Sequence, residues 1–305
     1  MRFAIVGAGS LGLLWAGRLA RAGHSVCLLL RTPQAVEHWR ENGSKLLFEH
    51  DDHRHVLEIQ AQLHTLADAV DCLIVATKAY SVSEALESLN RLLAPGSSVV
   101  LLQNGLGSQQ QGRDLCAQNR VLYASVTDGA WMPATGHVVW AGKGVTRIGD
   151  PSGASCPAWL EALPKTVIDW AWEPDIERVL WQKLAINCAI NPYTVLYDCA
   201  NGDVPARAGS DLNILVEELQ AMLRARNFAS EAADLPGTVA AVIQRTASNS
   251  SSMRQDVHAN RRTEIDYILG YACRTASAEG LRVPTMLGLY DALKTHLATL
   301  GLPTS

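Results

Sequence analysis

Apolar and polar positions in the first half of the chain alternate between strand-like and helix-like runs. Four short apolar runs predict buried strands: Arg2–Val6, Ser25–Leu30, Cys72–Ala76 and Ser98–Leu102. Two runs with apolar residues at helical spacing lie among them, Leu11–Ala22 and Val82–Leu93. Strands that alternate with helices in this way predict an α/β domain whose parallel sheet carries helices on both faces.

Three further apolar runs are expected to extend this sheet: Val121–Val126, Val138–Ala141 and Val145–Ile148. The last two predict an antiparallel hairpin around Gly142 and Gly144. After about Trp172 the strand signals end, and long helical patterns cover roughly 175–190, 210–227, 231–247, 253–279 and 285–299. Because Glu173-Pro174-Asp175 is a predicted hinge, we expect a sheet domain over 1–173 and an all-helical domain over 174–305.

Composition narrows the class of protein. The chain has 305 residues, 48% of them hydrophobic and 18% charged, with a net charge of −4, which gives no electrostatic case for nucleic acid or an anionic membrane. No signal peptide and no apolar run of about 18 residues is present, so no transmembrane helix is predicted. The seven cysteines are scattered and lack a C-x-x-C pair, which is typical of reduced thiols in a cytoplasmic protein rather than of a metal site.

A glycine-rich loop follows the first predicted strand and opens the first predicted helix. Its sequence is Gly7-Ala8-Gly9-Ser10-Leu11-Gly12, the full G-x-G-x-x-G pattern. The first glycine permits a tight turn, the second lets a pyrophosphate approach the backbone, and the third lets helix and strand pack closely. Together with the helix N-terminus, which favours phosphate, the loop predicts a Rossmann dinucleotide site.

The residue after the second strand discriminates between dinucleotides. NAD enzymes usually place Asp or Glu there to hold the ribose 2′-hydroxyl, whereas this chain has Arg31. A guanidinium suits a 2′-phosphate, so NADP(H) is favoured over NAD(H).

Two other loops follow predicted strands at the edge where open α/β sheets bind ligands. Thr77-Lys78-Ala79 offers Lys78 to cofactor or substrate charge, and Gln103-Asn104-Gly105 offers Asn104 as a bridge between nicotinamide ribose and substrate. A lysine that flanks a helix and an Asn-Gly turn are the structural alternatives.

A polar line runs along the otherwise apolar helical stretch between Glu177 and Pro192. Lys183, Asn187 and Asn191 are four residues apart and therefore share one helix face. On a buried helix these groups cost desolvation energy unless they are paired, so they are satisfied internally or they await a polar ligand. Asn191 precedes Pro192, and we expect the helix to end there.

Polar groups farther along the chain are candidate partners for this line. Ser252 with Gln255 fits a capping box, and the same serine is a candidate carboxylate ligand. Glu264, an acid among apolar residues, is a candidate partner for the lysine or a solvated helix acid. The segment His50–His55 has metal-like composition but is expected to be a solvated loop, and no metal site is predicted.

Taken together, these residues resemble the ketopantoate reductase (2-dehydropantoate 2-reductase) family. The resemblance runs almost from end to end and includes the glycine loop, Arg31, the two loops after the later strands, the segment Trp181–Pro192, Asn201-Gly202, Ser251–Asp256 and Thr263–Tyr267. It implies an N-terminal doubly wound Rossmann domain and a helical C-terminal domain of the 6-phosphogluconate dehydrogenase type, with the active site in a cleft between them. The implied reaction is reduction of ketopantoate to (R)-pantoate with NADPH, on the route to pantothenate and coenzyme A.

The resemblance also assigns roles to single residues. Lys183 is the implied general acid, and Glu264 matches a glutamate near cofactor and active site. Implied cofactor contacts are Gly7, Ala8, Gly9, Ser10, Leu11, Gly12, Arg31, Lys78, Asn104, Ala130 and Glu264. Implied substrate contacts are Asn104, Lys183, Asn187, Asn191, Asn201, Asn249 and Ser252. Ala130 lies in Asp128-Gly129-Ala130, which departs from the family's usual local sequence.

Two alternatives stay open beside ketopantoate reduction. One keeps the fold and reduces another small 2-keto acid. The other is an NADPH-binding regulatory protein without turnover, for which loss of Lys183 or Glu264 would have been the signal; both residues are present. The residues leave the oligomeric state open, a homodimer included.

Overall fold

The computed structural model describes residues 1–64 and 69–305 and divides the chain into two compact units. One unit comprises Met1–Gln103 and Ser108–Glu177 and carries the strands. The other comprises Asn104–Gly107 and Arg178–Ser305 and is helical. A short loop, Asn104–Gly107, therefore groups with the helical unit although its neighbours in sequence belong to the sheet unit.

Strands and short helices alternate along the first unit. The strands are β1 (Arg2–Val6), β2 (Ser25–Leu30), β3 (Lys45–His50), β4 (His53–Glu58), β5 (Gln60–Leu63), β6 (Val70–Val75), β7 (Leu93–Leu101), β8 (Arg120–Val126), β9 (Gly129–Ala134), β10 (His137–Gly142), β11 (Thr146–Gly149) and β12 (Trp170–Trp172). The helices are α1 (Ser10–Arg21), α2 (Pro33–Glu41), α3 (Val82–Leu89), α4 (Ser108–Leu115) and α5 (Ala158–Glu161).

Within the described ranges, eight strands form the main sheet in the order β12-β11-β8-β7-β6-β1-β2-β5. β1 pairs in parallel with β2 on one side and β6 on the other, so the strand order reverses at β1. In open α/β sheets ligands bind outside the carboxyl ends of the strands at such a reversal. The glycine loop leaves β1 at this position, and the predicted Rossmann-type α/β fold is confirmed.

A second sheet was not predicted. Among the described residues it has the order β4-β3-β10-β9, and the predicted hairpin of Val138–Ala141 with Val145–Ile148 is wrong. β10 pairs with β3 and β9, whereas β11 pairs with β8 and β12 of the main sheet. The strands separate because the chain between them is fastened to the buried Asp128 carboxylate, which accepts a hydrogen bond from the Gly144 N–H at 3.1 Å.

Asp128 also neutralises a buried arginine. Arg18 on α1 donates from Nη1 to Asp128 at 3.0 Å and from Nε to the Val167 carbonyl at 2.7 Å, and its guanidinium lies 4.2 Å from the Trp140 ring centroid. Burial lowers the pKa of Arg18, and Asp128 opposes that shift. A buried charge is tolerated only when it is paired and hydrogen-bonded, so this network fixes the helix against the second sheet.

The histidine-rich segment is also regular structure rather than the expected loop. β3 and β4 form an antiparallel hairpin that pairs His50 with His53 across a turn at Asp51-Asp52. Asp51 has a φ of +46°, a left-handed conformation that Asp adopts more readily than most residues. Over residues 1–64 and 69–305 no His, Cys, Asp and Glu side chains are grouped so as to hold a metal ion.

Helices alone build the regular structure of the second unit. They are α6 (Ile176–Leu196, which starts just before the unit boundary), α7 (Val204–Ala208), α8 (Ser210–Ala225), α9 (Ala229–Arg245), α10 (Ser252–His258), α11 (Leu269–Ala278) and α12 (Pro284–Thr299). Short 3₁₀ turns occupy Asn201–Asp203 and Ile265–Tyr267. The predicted helical C-terminal half is confirmed.

Two helix boundaries differ from the predictions. α6 does not end at Asn191 but passes through Pro192 to Leu196, because the burial of Tyr193, Thr194 and Val195 outweighs the backbone hydrogen bond that proline removes. The helix predicted over 253–279 is broken between α10 and α11, where Asn260 has a φ of +51°. Glu264 therefore lies in non-helical chain just before a 3₁₀ turn.

No helix within the described ranges is long and apolar enough to cross a membrane. All seven cysteines fall in those ranges, and none forms a disulfide. Five of them are buried, and burial raises the pKa of the Cys116 thiol to about 11, which keeps it protonated and unreactive near neutral pH.

Candidate active site

Each glycine of the nucleotide loop is required, or left without a side chain, for a different geometric reason. Gly7 has a φ of +101°, and a Cβ there would lie 2.7 Å from the Ala76 backbone. A Cβ on Gly12 would lie 1.8 Å from the Gly7 carbonyl oxygen, so only glycine lets α1 pack this closely on the strand. A Cβ on Gly9 would meet no described atom within 4 Å. Gly9 thus leaves an open approach to the first turn of α1, as a bound pyrophosphate requires.

A pocket of about 260 Å³ adjoins this loop within the sheet unit. Its walls come from the glycine loop, the end of β2, the loop after β6 and the start of α3: Val6, Gly7, Ala8, Leu29, Leu30, Arg31, His64, Thr77, Lys78, Tyr80, Ser81, Glu84 and Ala85. The structure therefore brings Arg31 and Lys78 to one pocket beside Gly7 and Ala8. The apolar floor and cationic rim fit an adenosine carrying phosphate groups.

Arg31 forms an ion pair at this rim. Its Nη2 lies 2.7 Å from Oε1 of Glu84, and both side chains are largely exposed. The next residue, Thr32, accepts a hydrogen bond from the Ala35 N–H at 3.2 Å and so caps α2. Glu84 was not singled out from the sequence, because the register that brings α3 to the end of β2 is set by the sheet order.

Ala130 lies elsewhere in the sheet unit. It is partly buried on β9 of the second sheet, opposite Trp140, and is not among the residues that line the pocket. The cofactor contact implied for Ala130 stays a prediction.

Asn104 begins the loop that groups with the helical unit. The Leu106 N–H donates to the Tyr267 carbonyl at 2.7 Å, and a Cβ on Gly105, whose φ is +77°, would lie 2.2 Å from the same oxygen. On the other side of Asn104, the buried Gln103 side chain donates to the Val75 carbonyl at 2.8 Å. Asn104 is thus held between two fixed neighbours, one of which contacts the turn that follows Glu264.

Lys183 and Glu264 form the charged centre of the helical unit. Lys183 is partly buried on α6, and Glu264 is only 4% exposed. Burial lowers the pKa of Lys183 to about 8, and the Glu264 carboxylate opposes that shift. An ammonium whose pKa lies close to neutral can give up its proton at physiological pH, as an unperturbed lysine cannot.

The backbone carbonyl of Asn191 on α6 is linked to the start of α10 through one buried hydroxyl. Thr194 donates to the Asn191 carbonyl at 2.7 Å, and its oxygen lies 2.6 Å from the Ser251 hydroxyl. Asn191 is buried and Asn187 partly buried. The second half of α6 is therefore fixed against the loop that carries the candidate substrate residue Ser252.

The predicted cap of α10 is wrong by one residue. Ser251, not Ser252, accepts a hydrogen bond from the Arg254 N–H at 3.1 Å, and Gln255 donates to the Ser250 carbonyl rather than completing a capping box. Ser251 takes this role because its buried hydroxyl also contacts Thr194. Ser252 is the exposed first residue of the helix.

Asn201 and Asn249 are brought together by backbone pairing. The Asn201 N–H donates to the Asn249 carbonyl at 3.0 Å, and Asn201 Nδ2 donates to the Thr246 hydroxyl at 2.9 Å. The buried Oδ1 of Asn201 has no hydrogen-bond partner among the described residues. A buried carbonyl oxygen without a donor is costly, and a ligand hydroxyl would satisfy it.

One cluster that positions this region was missed from the sequence. Asp198, at a φ of +43°, accepts from Arg254 Nε at 2.7 Å and lies 2.6 Å from His258 Nε2. These hydrogen bonds lower the pKa of Asp198. They connect the end of α6 to α10, and no local spacing in the sequence indicates a pairing over this distance.

Comparison with known proteins shows the family to which the chain belongs. The family model described as "Ketopantoate reductase PanE/ApbA" matches residues 3–153, and "Ketopantoate reductase PanE/ApbA C terminal" matches 175–297. The 2-dehydropantoate 2-reductase of Vibrio cholerae is 34% identical over 298 residues, which cover 97% of this chain and 97% of that protein. The chain belongs to the ketopantoate reductase family. It is therefore an oxidoreductase, and ketopantoate reductases use NADPH.

Solved structures agree with this membership. A PanE/ApbA family ketopantoate reductase from Ralstonia eutropha matches with a TM-score of 0.87 and 26% identity, over 99% of this chain and 100% of that one. D-mandelate dehydrogenase in complex with NADH and anilino(oxo)acetate shares the fold with a TM-score of 0.89 and 20% identity, over 99% of this chain and 100% of that one.

Substitutions of the two neighbouring serines should differ in their effect on stability. Ser251→Ala removes the cap and the partner of Thr194, so we expect it to lower the free energy of unfolding by about 1–3 kcal/mol. Ser252→Ala is the matched control; it should change stability by less than about 0.5 kcal/mol and raise the KM for ketopantoate. Urea unfolding and steady-state kinetics of both variants check this. Equal stability losses in the two variants would contradict the assignment of the cap.

Proposed function

We propose that the protein reduces 2-dehydropantoate (ketopantoate) to (R)-pantoate with NADPH, in pantothenate and coenzyme A synthesis, with Lys183 as the general acid. The observation that carries the proposal is the electrostatic interaction of Lys183 with Glu264: a partly buried lysine whose pKa desolvation lowers, and a buried carboxylate that opposes this shift. A regulatory protein without turnover has no need to hold a lysine in this state.

Residues of the sheet unit, together with Asn104 of the helical unit, fit the cofactor. Bound NADPH supplies the hydride, from nicotinamide C4. Gly9 leaves room for the pyrophosphate at the start of α1, Arg31 and Lys78 present cations in the adjoining pocket, and Asn104 and Ala130 are the proposed contacts toward the nicotinamide end. The glycine loop, Arg31, Lys78 and Asn104 follow the family motif, whereas Ala130 lies in a segment that departs from it.

Lys183 moves the proton in this mechanism. When hydride reaches the C2 carbonyl carbon, negative charge develops on the carbonyl oxygen, and the Lys183 Nζ donates a proton to that oxygen. Before transfer, the ammonium stabilises the developing alkoxide. Glu264 keeps Lys183 charged against the cost of burial, because its carboxylate raises the lysine pKa that desolvation lowers.

Amide and hydroxyl groups of the helical unit are the proposed substrate contacts. Ketopantoate carries a carboxylate and a C4 hydroxyl, which need donors and an acceptor respectively. Asn187, Asn191 and Ser252 are the proposed donors. The buried Oδ1 of Asn201, which lacks a partner within the described residues, is suited to accept the substrate hydroxyl, with Asn249 beside it.

A second candidate is reduction of a different 2-keto acid on the same fold. The observation in its favour is the likeness to D-mandelate dehydrogenase, whose complex contains NADH and anilino(oxo)acetate, a ligand without the hydroxyl of ketopantoate. The Asn201 acceptor favours the first candidate, because a substrate without a hydroxyl would leave that oxygen unsatisfied.

Steady-state kinetics test the proposal. Oxidation of NADPH should depend on ketopantoate, with a kcat/KM at least about tenfold above those of 2-keto acids that lack the 4-hydroxyl. Asn201→Ala is the matched variant: it should reduce the preference for the hydroxylated substrate rather than the rate with the others. Faster turnover of a ketoacid without the hydroxyl would favour the second candidate, and no oxidation with any ketoacid would contradict both.

The pH profile tests the role of Lys183. Reduction requires the protonated lysine, whose pKa is lowered to about 8 in the free protein, so kcat/KM for reduction should be constant at lower pH and fall as pH rises through about 8. Oxidation of pantoate requires the neutral lysine and should rise through the same range. Lys183→Ala should lose about 10²–10⁴ in kcat while NADPH binding persists; the surface variant Lys165→Ala is the control. A Lys183→Ala enzyme with unchanged kcat would show that another group donates the proton.

A further inference from the structure

Glu84 lies where the 2′-phosphate of the proposed cofactor would meet Arg31. We propose that Glu84 is a cofactor-specificity residue: it competes with the 2′-phosphate for the Arg31 guanidinium and thereby limits the preference for NADPH over NADH. The inference rests on the proposed function, since it takes the pocket beside Gly7 and Ala8 as the adenosine site.

The geometry of the pocket supports competition. Arg31 follows β2 and Glu84 is in the first turn of α3, yet both line the same pocket, and their charged groups are 2.7 Å apart. Both side chains are largely exposed, so the pair is held by little besides its own attraction. A phosphate carrying two negative charges can displace a single carboxylate from such a pair, but it must first overcome that pair and then the repulsion of Glu84.

Two hydroxyl groups near the end of β2 are already engaged in hydrogen bonds of their own. The Thr32 hydroxyl already caps α2. Ser88 donates its hydroxyl hydrogen to the Ala85 carbonyl at 2.7 Å, so its oxygen accepts the hydrogen on His64 Nδ1, also at 2.7 Å. Lys78 also lines the pocket, and the guanidinium that Glu84 contacts is the cation at the end of β2.

The Glu84 carboxylate disfavours binding of NADPH but favours binding of NADH. A ribose 2′-hydroxyl is a hydrogen-bond donor, and Rossmann proteins that bind NAD usually present a carboxylate to it. Here the carboxylate comes from α3 rather than from the end of β2. Glu84 thus repels the 2′-phosphate of NADPH and accepts a hydrogen bond from the 2′-hydroxyl of NADH, whereas Arg31 attracts the phosphate. The opposing effects of these two residues set the ratio of the affinities for NADPH and NADH.

Isothermal titration calorimetry of NADPH and NADH binding to the protein, in the absence of ketoacid, tests the proposal. Glu84→Gln should bind NADPH about fivefold or more tightly than wild type, because the exposed pair and the repulsion are both removed. The same variant should bind NADH no more tightly than wild type. Glu87→Gln is the matched control, since it removes an exposed acid from the same helix that does not line the pocket; its affinities should equal those of wild type.

A double-mutant cycle with Arg31→Ala distinguishes competition from a general charge effect. If Glu84 acts through Arg31, the gain of Glu84→Gln in NADPH affinity should shrink at least twofold in the Arg31→Ala background. An equal gain in both backgrounds, or an equal gain from Glu87→Gln, would overturn the inference while leaving the proposed function intact. A wild-type protein that binds neither nucleotide would contradict the proposed function, and this inference with it.

Discussion

The interaction on which the proposed chemistry depends is the electrostatic attraction between Lys183 and Glu264. α6 is apolar on nearly all sides, as a central helix must be, and it nevertheless carries an ammonium group. Desolvation alone would drive that group toward its neutral form; the carboxylate of Glu264 offsets part of the penalty, and the pKa settles at about 8. The outcome is a lysine that is charged at neutral pH and still acidic enough to act as a proton donor.

Several features of the fold serve this pair. Glu264 reaches its position because the chain leaves the helical conformation after α10, with Asn260 at a φ of +51°, and re-enters it only at a 3₁₀ turn. That turn also accepts the Leu106 N–H through Tyr267, so the loop that carries Asn104 is positioned by the segment that carries the carboxylate. Thr194, hydrogen-bonded to the Asn191 carbonyl and to the Ser251 hydroxyl, connects the second half of α6 to the start of α10. The proposed substrate residues Asn191 and Ser252 thus lie in segments that hydrogen bonds join.

Features set by local chemistry could be predicted from the sequence. The strand, glycine loop and helix at the N-terminus follow from neighbouring residues, and the polar line on α6 follows from helical spacing alone. What could not be predicted depended on distant partners. The second sheet depends on the pairing of β10 with β3, which lies far away in sequence. The N-cap moved to Ser251 because Thr194, far away in sequence, contacts it, and Glu84 became a pocket residue only through the sheet order.

The most direct test of the central claim is the titration of the Lys183 side chain itself. In protein labelled with ¹⁵N-lysine, the Nζ signal of Lys183, assigned by its absence in Lys183→Gln, can be followed against pH by NMR. We expect a midpoint at about 8 in the wild type and a lower midpoint in Glu264→Gln, where the opposing carboxylate is gone. A midpoint near the ordinary lysine value of 10.5, or one that does not move in Glu264→Gln, would contradict it.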